Sequence, residues 1–202
     1  MPAEPVLRDR RVRCFVAVDV PPGVRDELVA VQMALRRRLR RADVRWATPD
    51  QLHLTLKFLG TVPDDRVAAI SAALDEVVTG AAPLALTAAG LGAFPSLGSA
   101  RVLWAGITAG SADAAALAAG VDRATASLGF PPEARPFRCH LTLGRVRSPG
   151  GGRGVGDAVR AIGSPVFGSW IASELVLYES RLRPTGALHV PVSRHALRGA
   201  RR

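Results

Sequence analysis

The tetrapeptide His-Leu-Thr-Leu occurs twice, at His53–Leu56 and at His140–Leu143, and no other feature of the chain restricts its fold so tightly. In a β-strand successive side chains face opposite ways. Each copy would bury its two leucines and present His53 with Thr55, or His140 with Thr142, on the other face. The copies lie 87 residues apart, and each is led by the same arrangement. A strand-like run around Phe15 precedes His53 by 38 residues, and another around Val102 precedes His140 by 38, with one amphipathic helix between each pair. The order strand, helix, motif strand, helix, strands therefore repeats. It predicts an α+β chain of two related lobes, with mostly antiparallel sheets flanked by helices and the motif strands brought together at a pseudo-two-fold axis.

Local patterns fill in that frame. Val12–Val20 is dense in β-branched residues and predicts a buried strand. Pro21-Pro22 opens a helix whose apolar Val24, Leu28, Val31, Leu35 and Leu39 recur at three and four. Arg36–Arg38 close it, where positive charge favours a helix end. A short strand at Val44–Ala47 leads to the first motif strand, Leu52–Leu59, ended by Gly60. A helix over Thr61–Thr79, a strand at Leu84–Ala88, turns over Gly90–Gly98 and a strand at Arg101–Ile107 follow. The third helix starts at Ser111 and stops at Leu128 before Gly129. After the link Pro131–Pro136 comes the second motif strand, Phe137–Val146. Pro149–Gly156 is glycine-rich and predicts a flexible surface loop, since no Gly-Lys-Ser/Thr follows. Asp157–Ile162 is a short helix, and Val166–Ile171, Glu174–Leu182 and Ala187–Val192 are closing strands. Residues 1–11 are expected as a loose arm, 12–193 as one bilobal domain and 194–202 as a basic tail.

Composition limits the partners. With 48% hydrophobic and 22% charged residues the chain can bury a sizeable core. No apolar run reaches the roughly 18–20 residues that span a bilayer, and none of signal-peptide length precedes the first strand. A cytoplasmic monomer with no membrane contact is the expectation. The formal charge is +10, from 27 basic and 17 acidic residues, and Lys57 is the one lysine. Arginine suits phosphate, so this excess favours polyanions. Cys14 and Cys139 make neither a disulfide framework nor a zinc cluster and are expected as small buried thiols.

Two facing imidazoles suit acid–base chemistry at one centre, because one removes a proton from the attacking group while the other protonates the leaving oxygen. Phosphodiester transfer needs that opposed geometry. The two threonine hydroxyls would donate to the non-bridging oxygens. Neither motif carries a third ligand at H-x-E or H-E-x-x-H spacing, so no metal and no cofactor is expected. His195, in the tail, is expected as a structural residue; His189, in a closing strand, is expected as structural, with a place at the pocket edge as the alternative.

At these residues the chain resembles the 2H phosphoesterases, and most closely the RNA 2',3'-cyclic phosphodiesterases, also called 2'-5' RNA ligases. The resemblance rests on RCFVAVD at 13–19, VRW at 44–46, LHLTLKFLG at 52–60, GAFP at 92–95, RVLW at 101–104, RPFRCHLTLGR at 135–145 and LYESRLRPTG at 177–186. It implies a bilobal α+β fold with the two motifs lining a central cleft, metal-independent opening of RNA 2',3'-cyclic phosphate ends to 2'-phosphomonoesters, and the reverse 2'-5' ligation without ATP. Substrates would include tRNA fragments and small cyclic nucleotides. By position, His53 and His140 would be the acid–base pair, with His53 as proton donor and His140 as acceptor in hydrolysis. The near symmetry of the motifs leaves that order open. Thr55 and Thr142 would hold phosphate oxygens, Arg145 would face the phosphate, and Phe58 would stack a base or sit in the core. His189 departs from the family pattern, where an aromatic residue is common. The alternatives are a phosphodiesterase for a small cyclic phosphate and a non-catalytic RNA-binding module.

Overall fold

A computed structural model describes residues 10–148, 150–184 and 186–199. The expected N-terminal arm lies almost wholly outside them. The described chain forms nine strands and four helices. These are β1 (Arg11–Asp19), α1 (Pro22–Arg38), β2 (Val44–Trp46), β3 (His53–Pro63), α2 (Val67–Thr79), β4 (Leu84–Phe94), β5 (Val102–Ala109), α3 (Ser111–Ala126), β6 (His140–Val146), α4 (Val155–Ile162), β7 (Val166–Ala172), β8 (Glu174–Arg183) and β9 (Gly186–Ala196).

The strands join in one sheet, in the order β7-β4-β5-β6-β3-β1-β8-β9, with β2 added beside β6. Every pairing is antiparallel. The order is a palindrome about the β6–β3 junction: β3, β1, β8 and β9 run one way, and β6, β5, β4 and β7 the other. The halves meet through a single residue pair, Leu54 with Leu141. A two-fold axis at that pair relates the motif strands, as the repeat predicts. The helices cross over. The helix after β1, α1, packs on β7 and α4 of the other half, whereas α3, which follows β5, packs on β3 and α2.

The motif leucines anchor this junction. Leu54, Leu141 and Leu143 are wholly buried and Leu56 nearly so. Each fully buried leucine is worth roughly 1.5–3 kcal/mol in transfer from water. The helices meet this layer with Leu28 and Leu35 of α1, Ile70 and Leu74 of α2, and Leu117 and Val121 of α3. Proline at the first turn of α1 and three arginines in its last turn bound it as expected.

Most strand ends fall within three residues of the expectation, the second motif strand starting at His140 and not Phe137, but three run four or more residues further. The sequence presents Gly60 and Gly90 as strand terminators, but β3 runs on to Pro63 and β4 to Phe94. Both glycines lie beside register shifts, with φ of 73° and 74°. Glycine in that left-handed conformation makes a bulge and lets the strand continue. At the other end of the chain β9 extends to Ala196, past the start of the expected tail at Arg194. His195 explains the extension. It is buried, its Nδ1 lies 2.7 Å from Asp75 of α2 and its Nε2 2.8 Å from the Ser193 hydroxyl, which fastens β9 to the helix layer.

Candidate active site

One cleft-side face of the sheet collects the residues that the repeat singles out. Continuing the antiparallel register outward from Leu54–Leu141 sets His53 beside Thr142 and Thr55 beside His140. The two histidines are then diagonal neighbours, which on an antiparallel pair lie roughly 7–8 Å apart, their Cβ atoms somewhat closer. That gap is wide enough for a phosphate between two imidazoles.

Simple alternation fails three residues after each histidine, and it fails in the same way twice. In β3, Thr55 pairs with Ala17 but Lys57 pairs with the adjacent Val16, so Leu56 has no partner of its own. In β6, Thr142 pairs with Trp104 but Gly144 pairs with the adjacent Leu103, so Leu143 is the extra residue. Each bulge reverses the phase of the strand. Phe58 and Arg145, each five residues after its histidine, are thereby turned onto the face of the histidine and threonine. Strict alternation would have sent both of them the other way. The burial patterns from His53 and from His140 match over six residues. Phe58 is 58% exposed, 5.9 Å from the Phe15 ring, which excludes a core role.

A buried polar side chain braces each bulge. Lys57, which alternation alone would place beside His53, is buried instead and pairs with Asp122 of α3. Its ammonium also donates to the Pro131 carbonyl at 3.1 Å. The Asp122 carboxylate accepts the Glu133 backbone N–H as well, at 3.2 Å. In the other half, the carbonyl of the bulged Leu143 accepts from the Ala47 backbone N–H at 2.9 Å and from Gln32 Nε2 at 2.8 Å. Gln32 is itself buried in α1 and reaches the Ala47 carbonyl at 3.0 Å. Neither bracing group is legible in the sequence, because each depends on a partner at least 65 residues away.

The two imidazoles have different surroundings. His53 stacks on Phe15, with ring centroids 4.8 Å apart, and meets the edge of His189 at 5.1 Å. Burial pushes its pKa down to about 3, with His189 acting in the same direction and Asp19 opposing. Asp19, its register partner on β1, accepts from the Tyr178 hydroxyl at 2.5 Å and from Arg194 at 3.1 Å. His140 sits edge-on to Phe94, at 4.9 Å. Its Nδ1 lies 2.6 Å from the Arg138 carbonyl, which can only accept, so Nδ1 carries hydrogen and Nε2 is the free nitrogen. Burial lowers its pKa, the Arg138 carbonyl opposes, and the Arg145 and Arg138 charges lower it further. The thiols are inert by comparison, since burial pushes Cys14 to about 11 and Cys139 to about 12. Of the two readings of His189, the pocket edge is the one that its contact with His53 supports.

The model of the LigT-like phosphoesterases matches residues 18–104 and 107–189, a span that includes both motifs. The chain belongs to this family. A relative from Archaeoglobus fulgidus named RNA 2',3'-cyclic phosphodiesterase is 35% identical over 88% of this chain and 96% of its own. One from Methanothermobacter thermautotrophicus with the same name is 31% identical over 89% and 95%. Among solved structures, a protein from Thermus thermophilus superposes with a TM-score of 0.77 at 29% identity, covering 94% of this chain and all of that one. E. coli LigT complexed with 3'-AMP gives 0.73 at 28%, covering 93% and 99%. The two stretches that match the family model each hold one motif, as the two halves of the palindromic sheet each hold one. The second stretch ends at His189, so Tyr178 and His189, which line His53 from β8 and β9, fall inside it.

Proposed function

We propose that this phosphoesterase hydrolyses 2',3'-cyclic phosphate ends of RNA to 2'-phosphomonoesters, without a metal, by acid–base catalysis between His53 and His140. The observation that carries the reading is the pair of imidazoles diagonal to each other on one face, each with a threonine. The names of the relatives and the basic surface support an RNA end as substrate.

His140 suits the base. Its Nδ1–H is engaged by the Arg138 carbonyl, so the lone pair on Nε2 is available for a proton of the attacking water. As the water oxygen bonds to phosphorus, the bond from phosphorus to O3' breaks in line. His53, protonated, passes its proton to O3'. The products are a 3'-hydroxyl and a 2'-phosphomonoester, and solvent exchange resets the two rings. Thr55 and Thr142 donate to the non-bridging oxygens, and Arg145 offsets the charge of the transferring group. The exposed Phe58 ring stacks the terminal base. Run backward with a 5'-hydroxyl in place of water, the same steps give 2'-5' ligation.

Turnover of an oligonucleotide ending in a 2',3'-cyclic phosphate, in EDTA and across pH, tests this reading. Both imidazoles have lowered pKa values, so near pH 7 the free enzyme holds both neutral, and the acid must gain a proton. The log of kcat/KM is therefore expected to peak below about pH 6.5 and to fall by about one for each pH unit above the higher of the two values. Bound phosphate favours the protonated rings, so the alkaline limb of kcat should lie at higher pH than that of kcat/KM. A kcat/KM that rises from about pH 6 to about pH 8, or turnover that EDTA abolishes, would sink the reading.

A further inference from the structure

A cavity of about 550 Å³ lies at the far end of β6 from His140 and takes no part in the chemistry above. Arg101, Arg147, Arg153 and Arg160 line it, with Asp157 as the lone carboxylate among the described residues. Asp157 is bonded to Arg160 at 2.7 Å, so those two charges offset each other. Arg101, Arg147 and Arg153 are exposed and have no ion pair among the described residues. Three uncompensated guanidinium groups around one cavity repel one another, and an anion in their midst relieves that repulsion.

The backbone holds these arginines in place. Arg101 donates its backbone N–H to the Phe94 carbonyl at 2.7 Å and accepts from Val146 at 2.9 Å. The Arg147 N–H donates to the Asp43 carbonyl at 2.9 Å. Arg153 sits in the glycine-rich segment, which the sequence presents as a flexible loop; Pro149 lies outside the described residues, and from Gly150 to Gly156 the segment is a folded wall. Gly151 bonds to Ser148 and to Asp43, each at 3.0 Å, and Val155 donates to Gly152 at 3.1 Å. A Cβ on Gly152 would stand 2.8 Å from the Ala100 carbonyl oxygen, so glycine is what allows this close approach.

We infer that this pocket binds backbone phosphates of the single-stranded RNA whose cyclic end is held at the histidine pair, an inference that rests on the RNA-end reading above. Arg147 follows Arg145 by two residues, roughly 7 Å along an extended chain. A strand leaving the cleft past Arg145 thus comes directly to the pocket. Among the described residues no aromatic ring lines the cavity, so it offers phosphate contacts and no base stacking, and its binding is independent of sequence. The volume exceeds what one phosphate needs, which favours a chain of them over a free anion.

The test compares wild type with the triple variant R101Q/R147Q/R153Q on a mononucleoside 2',3'-cyclic phosphate and on an oligonucleotide ending in the same nucleotide. Mononucleotide kcat/KM is expected to stay unchanged, while the oligonucleotide value falls about tenfold or more at low salt. The slope of log kcat/KM against log salt for the oligonucleotide should flatten by about 2, at roughly 0.7 per phosphate contact for three arginines. Fluorescence anisotropy with an oligonucleotide already ending in a 2'-phosphate measures the pocket without turnover. If the wild type turns over neither substrate, the RNA-end reading fails, yet the anisotropy still decides on the pocket. Equal oligonucleotide affinity in the two proteins overturns the inference. So does a wild-type affinity that does not rise with oligonucleotide length and that inorganic phosphate alone can match.

Discussion

His53→Ala and His140→Ala are each expected to lower kcat on a cyclic-phosphate RNA end by about 10³-fold, within the roughly 10²–10⁴ that one positioned acid or base contributes. The double variant should be little worse than the poorer single, because proton donor and acceptor act as a unit in one transition state. Stability should not fall in parallel. His53 is held neutral by burial, with its pKa at about 3 against an ordinary 6.5. A group whose folded pKa is depressed in this way binds protons more readily in the unfolded chain, so it makes the protein less stable as pH falls below about 6.5. Removing His53 should therefore leave the melting temperature near wild type at about pH 8 and raise it relative to wild type at about pH 5. Near-normal kcat in either single variant would mean that the pair does not carry the chemistry.

Asp122→Ala is expected to have the largest effect on stability and to reduce activity without touching the cleft. It leaves the ammonium of Lys57, a residue 3% exposed, with only the Pro131 carbonyl among the described residues. Breaking a buried ion pair on one side costs about 3–5 kcal/mol. Asp122 is itself partly exposed, so the lower end applies. For a chain of this length about 3 kcal/mol is a fall of roughly 6–12 °C in Tm. Lys57→Met combined with Asp122→Ala removes the stranded charge and should recover most of that loss. The activity effect has a separate origin. Asp122 also holds the Glu133 N–H in the link that leads to His140, while Lys57 fixes the bulge that turns Phe58 outward. Both motif strands lose a brace, so KM should rise in the single variant even at temperatures where it remains folded. A Tm unchanged in Asp122→Ala would contradict this account.

The repeated tetrapeptide exposes the parts of the fold that follow from local rules. Alternation over three residues correctly places His53 with Thr55 and His140 with Thr142, above buried leucines. The matched 38-residue spacing anticipates a sheet symmetric about the two motifs. The bulges at Leu56 and Leu143 leave no mark in the sequence, since a bulge is defined by the register of the partner strand. Phe58 therefore stays undecided between core and cleft at that level, and Lys57 looks suited to the cleft it turns away from. Glycine misleads in two senses. Gly60 and Gly90 resemble stops and are bulges, while the glycine-rich segment resembles a loose loop and packs as a wall. His189 and His195 lack any local pattern, and only the closure of β9 against β8 and α2 gives them neighbours.

The phosphate position in the product tests the account most directly. Cleavage of the P–O3' bond between His53 and His140 predicts that an oligonucleotide with a 2',3'-cyclic end yields a 2'-phosphate alone, in EDTA, and that either histidine variant forms it about 10³-fold more slowly. A 3'-phosphate product, or a 2'-phosphate formed as readily by His53→Ala or His140→Ala, would contradict it.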